Sequence, residues 1–128
     1  MIYVDTSVVL AQLLSKSRKP PADFWSQDLA SSRLLAYESW TRLHALGLGA
    51  SHGDALRDVL GHMLVLELVP PVLARALEPF PLPVRTLDAF HFASLAFLAS
   101  TGRDVALATY DARMVAVARA LGVRVVEP

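Results

Sequence analysis

The chain has 128 residues, 12 Lys+Arg against 12 Asp+Glu, no Cys and 54% hydrophobic residues. The length fits one domain, the apolar fraction argues against disorder, and the lack of Cys excludes disulfides and Cys-based zinc sites. A formal net charge of zero gives no global field to draw nucleic acid, although ten of the twelve basic residues are Arg, the side chain suited to bidentate phosphate contact.

Residues 2–5 are short and apolar and read as a strand, followed at once by helical spacing over 6–14 with Val9, Leu10, Leu13 and Leu14. Polar residues 15–21 form a loop, and Pro21 opens a short helix over 22–28 with Phe24 and Trp25. The spacing of Leu34, Leu35, Trp40, Leu43 and Leu46 predicts a helix over 33–46, stopped by Gly47 and Gly49. A helix over 54–63, a strand over 64–69 and a short helix over 71–78 follow. Pro79, Pro81 and Pro83 make 79–84 an extended connector. The remaining elements are a helix over 86–100, a strand over 104–109, a helix over 111–121 and a strand over 123–126. Strands alternating with helices predict a central parallel sheet with helices on both faces, an α/β class in which ligands bind at the carboxyl ends of the strands.

No apolar run reaches the roughly 20 residues of a membrane span. The chain also opens Met1-Ile2-Tyr3-Val4-Asp5, without a basic leader, so a cytoplasmic protein is expected.

Four acids stand in unusual places. Asp5 ends the first strand, Asp111 follows the strand 104–109, Asp88 lies in the first turn of helix 86–100, and Glu38 lies within helix 33–46. Singly, each has a structural explanation. Asp5 and Asp111 suit helix N-caps, worth about 1 kcal/mol. Asp88 suits a helix dipole, and Glu38 is spaced to pair with Arg42. Together they are four carboxylates in apolar settings, whose burial a metal ion would offset. Hard carboxylate oxygens suit Mg²⁺ or Mn²⁺.

The segments Tyr3-Val4-Asp5-Thr6-Ser7, Arg85-Thr86-Leu87-Asp88-Ala89-Phe90-His91-Phe92-Ala93 and Ala108-Thr109-Tyr110-Asp111-Ala112-Arg113-Met114 resemble the first, third and fourth motifs of PIN-domain ribonucleases. Glu38 falls where that family has its second acid, and Leu121-Gly122-Val123-Arg124-Val125-Val126 resembles its closing turn and strand. Where some members carry a further Asp after the fourth motif, Met114 and Val115 stand here, so four acids are carried over.

The resemblance, nearest to the VapC-type toxins of toxin–antitoxin pairs, implies a single-domain three-layer αβα PIN-like fold over 1–128. It also implies metal-dependent hydrolysis of RNA. Asp5, Asp88 and Asp111 are then the expected metal ligands, with Glu38 binding metal or orienting water. Ser7 and Thr109 become candidate hydroxyls for orienting the carboxylates, and Arg85 and Arg113 candidate RNA contacts. The implied cofactor is Mg or Mn, and the implied partners are RNA, a cognate antitoxin and a second copy in a homodimer. Leu13, Leu14, Phe24 and Trp25 are candidates for an antitoxin groove, or else they fill the core.

His91, three residues after Asp88, reads as a structural histidine. Mutual repulsion of carboxylates about 5 Å apart, about 3 kcal/mol at an effective dielectric near 20, is expected to push at least one carboxyl's pKa up. The alternative is a PIN scaffold without catalysis that binds protein or RNA. A phosphorelay receiver lacks its positioned Lys here. A haloacid-dehalogenase-type phosphatase lacks an Asp two residues beyond Asp5, where Ser7 stands.

Overall fold

Five short strands form one parallel sheet in this computed structural model, which describes residues 1–128. They are β1 (Ile2–Val4), β2 (Leu29–Ser32), β3 (Met63–Leu66), β4 (Ala106–Ala108) and β5 (Val125–Val126), in the spatial order β3-β2-β1-β4-β5. The helices are α1 (Thr6–Leu14), α2 (Arg33–Ala45), α3 (Gly49–Leu60), α4 (Pro70–Ala76), α5 (Thr86–Ser100) and α6 (Ala112–Ala120), with a 3₁₀ turn at Ala22–Ser26.

The three layers follow from the two-residue period of a strand. In β1, Ile2 and Val4 face one apolar cluster and Tyr3 faces the other. The first cluster is completed by Val8, Val9, Phe24, Trp25, Leu35, Leu43 and Leu56, which come from α1, the 3₁₀ turn, α2 and α3. The second is completed by Phe92, Leu95 and Leu98 of α5 and by Met114 and Val117 of α6. With both faces covered, the central strands are buried throughout.

The chain steps from β1 to β2 to β3 on one side, then crosses to the other side of β1 for β4 and β5. The point where the direction reverses lies between β1 and β4. That is where open α/β sheets leave a crevice at the carboxyl ends of their strands. Asp5 follows β1, and Thr109 to Asp111 follow β4.

Beyond smaller shifts of element ends, the structure departs from the sequence reading most in three places. Residues 29–32 form a strand that no pattern announced: Leu-Ala-Ser-Ser is short, small and not β-branched, yet all four residues are buried. Helix α3 starts at Gly49, not at Asp54. Its glycines serve close packing, since a Cβ on Gly53 would sit 2.8 Å from Trp40 Cη2. Phe24 and Trp25 lie in the core, 3% and 9% exposed, so they present no groove; Leu13 and Leu14 pack against the same core cluster. The exposed large apolar side chains include Leu73, Leu77, Leu82 and Leu87 instead, around α4, the proline connector and the start of α5. No helix is long and apolar enough to cross a membrane.

Candidate active site

Asp5 is placed by the sheet and held by hydroxyls. Its backbone N–H donates to the Ala108 carbonyl at 3.0 Å, tying the end of β1 to β4. Its carboxylate caps α1, accepting from the Ser7 N–H at 3.3 Å. The same oxygen, Oδ2, accepts from Ser7 Oγ at 2.7 Å and from Thr109 Oγ1 at 2.8 Å. Ser7 Oγ in turn accepts from the Tyr110 N–H at 2.9 Å, and Thr109 Oγ1 accepts from the Asp111 N–H at 3.0 Å. The two hydroxyls therefore clamp the first acid to the loop that carries the fourth.

Asp111 caps α6 through Oδ1, which accepts from the Arg113 N–H at 2.9 Å. Its Oδ2 meets the guanidinium of Arg85, whose Nη2 donates at 2.9 Å. Arg85 Nε donates to Asp88 Oδ2, also at 2.9 Å. One guanidinium thus bridges the third and fourth acids, whose side chains are only 13% and 22% exposed. Both carboxylates raise the Arg85 pKa, Asp88 more strongly. Arg113 contributes its backbone here, and its side chain is exposed.

Glu38 is held differently. Its Oε1 accepts from Thr6 Oγ1 at 2.9 Å and contacts His91 Nε2 at 2.6 Å. On the far side of the ring, His91 Nδ1 lies 2.7 Å from the Tyr3 hydroxyl. Burial alone would raise the Glu38 pKa. The His91 hydrogen bond and charge, the Thr6 hydroxyl and the more distant Arg85 outweigh it, and the net shift is downward. This is opposite to the rise expected from crowded carboxylates, because Arg85 and His91 supply the compensating charge. Burial also opposes charging His91, yet Tyr3, the Glu38 hydrogen bond and the charges of Asp5 and Glu38 raise its pKa to about 10.

The four acids do not form a ready ligand cluster: no three His, Asp or Glu side chains are grouped so as to hold a metal ion. Two of them already converge on a cation, the Arg85 guanidinium. Three of them spend one oxygen on the chain, leaving Asp5 Oδ1, Glu38 Oε2 and Asp88 Oδ1 without a hydrogen bond from it. Free carboxylate oxygens beside a cation-binding corner are the donor set that a hard divalent ion takes.

No family model matches the chain. It is 34% identical over 134 residues to ribonuclease VapC46 of Mycobacterium tuberculosis, with 99% of this chain and 97% of that protein covered. The chain belongs to the VapC family of PIN-domain ribonucleases. A second member, ribonuclease VapC47 of the same species, is 30% identical over 135 residues, covering 95% of this chain and 93% of its own. The crystal structure of M. tuberculosis VapC20, titled a sarcin–ricin loop cleaving toxin, covers 100% of both chains with a TM-score of 0.66 at 18% identity. At that identity the likeness is one of fold, the αβα architecture described above.

The sequence reading passed over two features of this VapC-family site. It paired His91 with nothing, because its partner Glu38 is 53 residues away and no local spacing signals that contact. It names Arg85 as a candidate RNA contact and does not foresee that the side chain bridges Asp88 and Asp111. The i,i+3 spacing of Arg85 and Asp88 was the one available signal.

Proposed function

We propose that this VapC-family ribonuclease is the toxin of a toxin–antitoxin pair. It would hydrolyse RNA phosphodiesters with Mg²⁺ or Mn²⁺ held by Asp5, Asp88 and Asp111. The observation that carries the reading is the convergence at one sheet corner. Asp5 is tied through Ser7 and Thr109 to the Asp111 loop, and Asp111 is tied through Arg85 to Asp88.

A bound divalent ion acidifies water and offsets charge on the reacting phosphate. The side chains supply the rest. Ser7 and Thr109 fix one oxygen of Asp5 and leave the other free. Glu38, with Oε1 fixed, offers Oε2 to take a proton from the attacking water. The water oxygen adds to phosphorus as the bond from phosphorus to the leaving sugar oxygen breaks, and the leaving oxygen takes a proton from solvent. Arg85, 57% exposed, has a guanidinium that can turn from the carboxylates to a phosphate.

The partners proposed are an RNA substrate, a cognate antitoxin and a second copy of the chain. Support for association comes from the exposed apolar side chains, with Leu77 89% exposed. Light scattering tests the homodimer: twice the 13.9 kDa chain mass supports it, and a monomeric mass at micromolar concentration removes it. Cleavage assays test the activity. RNA should be cut with Mn²⁺ or Mg²⁺ and left intact in excess EDTA. Asp5→Asn should cut more slowly by about 10³-fold or more, the scale of losing a central catalytic group. Equal cutting in EDTA would overturn the mechanism, and no metal-dependent cutting at all would favour a binding module without catalysis.

A further inference from the structure

We propose that His91, backed by Tyr3, is the positioning residue for Glu38. This rests on the reading of Glu38 as the carboxylate that takes a proton from the attacking water and extends it to two residues buried beneath the site.

Tyr3 is 0% and His91 1% exposed, so both lie within the protein and neither can touch RNA. They form a polar chain through otherwise apolar packing, from Tyr3 Oη to His91 Nδ1 at 2.7 Å and from His91 Nε2 to Glu38 Oε1 at 2.6 Å. The tyrosine and imidazole rings meet edge-on, 5.7 Å apart at 72°, which fixes the imidazole plane. Thr6 closes the arrangement, with Oγ1 2.9 Å from Glu38 Oε1 and 3.3 Å from His91 Nε2.

Glu38 needs this support more than the other acids do. Asp5 and Asp111 are short side chains locked by helix caps. A Glu has more rotatable bonds, and fixing it costs up to about 2 kcal/mol of side-chain entropy. Donors from α1 and α5 converge on one oxygen of a residue in α2, so the second oxygen has a defined position. The contact holds in either protonation state of the imidazole. When the ring is neutral, Nε2–H donates to Glu38 and Nδ1 accepts from Tyr3. When it is charged, both nitrogens donate, Nδ1–H to Tyr3 Oη. A side chain serving only as filler would need neither partner, and an apolar residue of similar volume would pack as well.

The test is a set of cleavage kinetics at saturating Mn²⁺ on a fluorescein-labelled RNA that the wild type cuts. The variants are Glu38→Gln, His91→Leu, His91→Gln, Tyr3→Phe and the double variants His91→Leu/Glu38→Gln and Tyr3→Phe/Glu38→Gln, each with a melting curve. His91→Leu should lower kcat by about 10–100-fold with little change in KM, the usual cost of removing a group that orients a site residue. His91→Gln, which returns an N–H donor toward Glu38, should recover most of that loss. In the Glu38→Gln background, His91→Leu should cost little more, because the group it positions is already gone.

A folded His91→Leu with wild-type kcat would overturn the inference, as would a full additional loss in the double variant. Should His91→Leu fail to fold, Tyr3→Phe decides. A kcat loss that vanishes in the Glu38→Gln background supports the chain of contacts, and a wild-type rate overturns it. Wild-type rates in Glu38→Gln itself would overturn the reading of Glu38. A slow Glu38→Gln beside wild-type His91 variants would overturn the positioning role alone.

Discussion

At the scale of single residues, the contact between His91 and Glu38 has consequences in both directions of pH. The His91 pKa lies above its ordinary 6.5, at about 10, so its contribution to stability is complete below pH 6.5 and is lost as pH rises toward 10. The Glu38 pKa lies below its ordinary 4.5, so its contribution is complete above that value and is lost as pH falls through the lowered one. The stability difference between wild type and His91→Gln should therefore be greatest between about pH 4.5 and 6.5 and should shrink toward pH 10. Urea unfolding across that range checks it; a difference independent of pH would mean the imidazole is neutral in the fold. At this scale the sequence was a good guide to Asp5 and Asp111. A cap residue directly after a strand is a local feature, and the structure shows both as caps. It could not reveal the Glu38 contact, which depends on how α2 and α5 meet across 53 residues of chain.

At the scale of elements, helices were more legible than strands. The periods of α1 and α5 fall on the predicted residues, 6–14 and 86–100, because each is bounded by a cap or a glycine turn. Strand β2 was illegible for a physical reason. It lies between β1 and β3 with both faces covered, so it needs neither alternation nor bulk. Ala30 is 0% exposed and belongs to the cluster that contains Tyr3 and Phe92. Ala30→Leu would overpack that layer and should cost about 1–3 kcal/mol. Leu35→Ala on the opposite face should cost about 2–5 kcal/mol by leaving a cavity. Denaturant midpoints measure both, and an unchanged midpoint for Ala30→Leu would mean the layer has room that its burial denies.

At the scale of the molecule, a parallel sheet whose direction reverses between β1 and β4 brings together acids from distant parts of the chain, and Arg85 keeps two of them compatible without a metal. The repulsion expected from sequence is thus already offset at Asp88 and Asp111. Arg85→Gln should then have two opposite effects. It should lower the melting temperature in EDTA, because the carboxylates lose their counter-ion, and raise Mn²⁺ affinity, because a competing cation is gone. Asp5, Asp88 and Asp111, proposed above to hold a divalent ion, can be examined by Mn²⁺ titration calorimetry on wild type, Arg85→Gln and Asp111→Asn. Wild type should bind Mn²⁺ saturably, Arg85→Gln should bind it more tightly, and Asp111→Asn should lose most of the binding. Identical isotherms for all three proteins would contradict the proposed site.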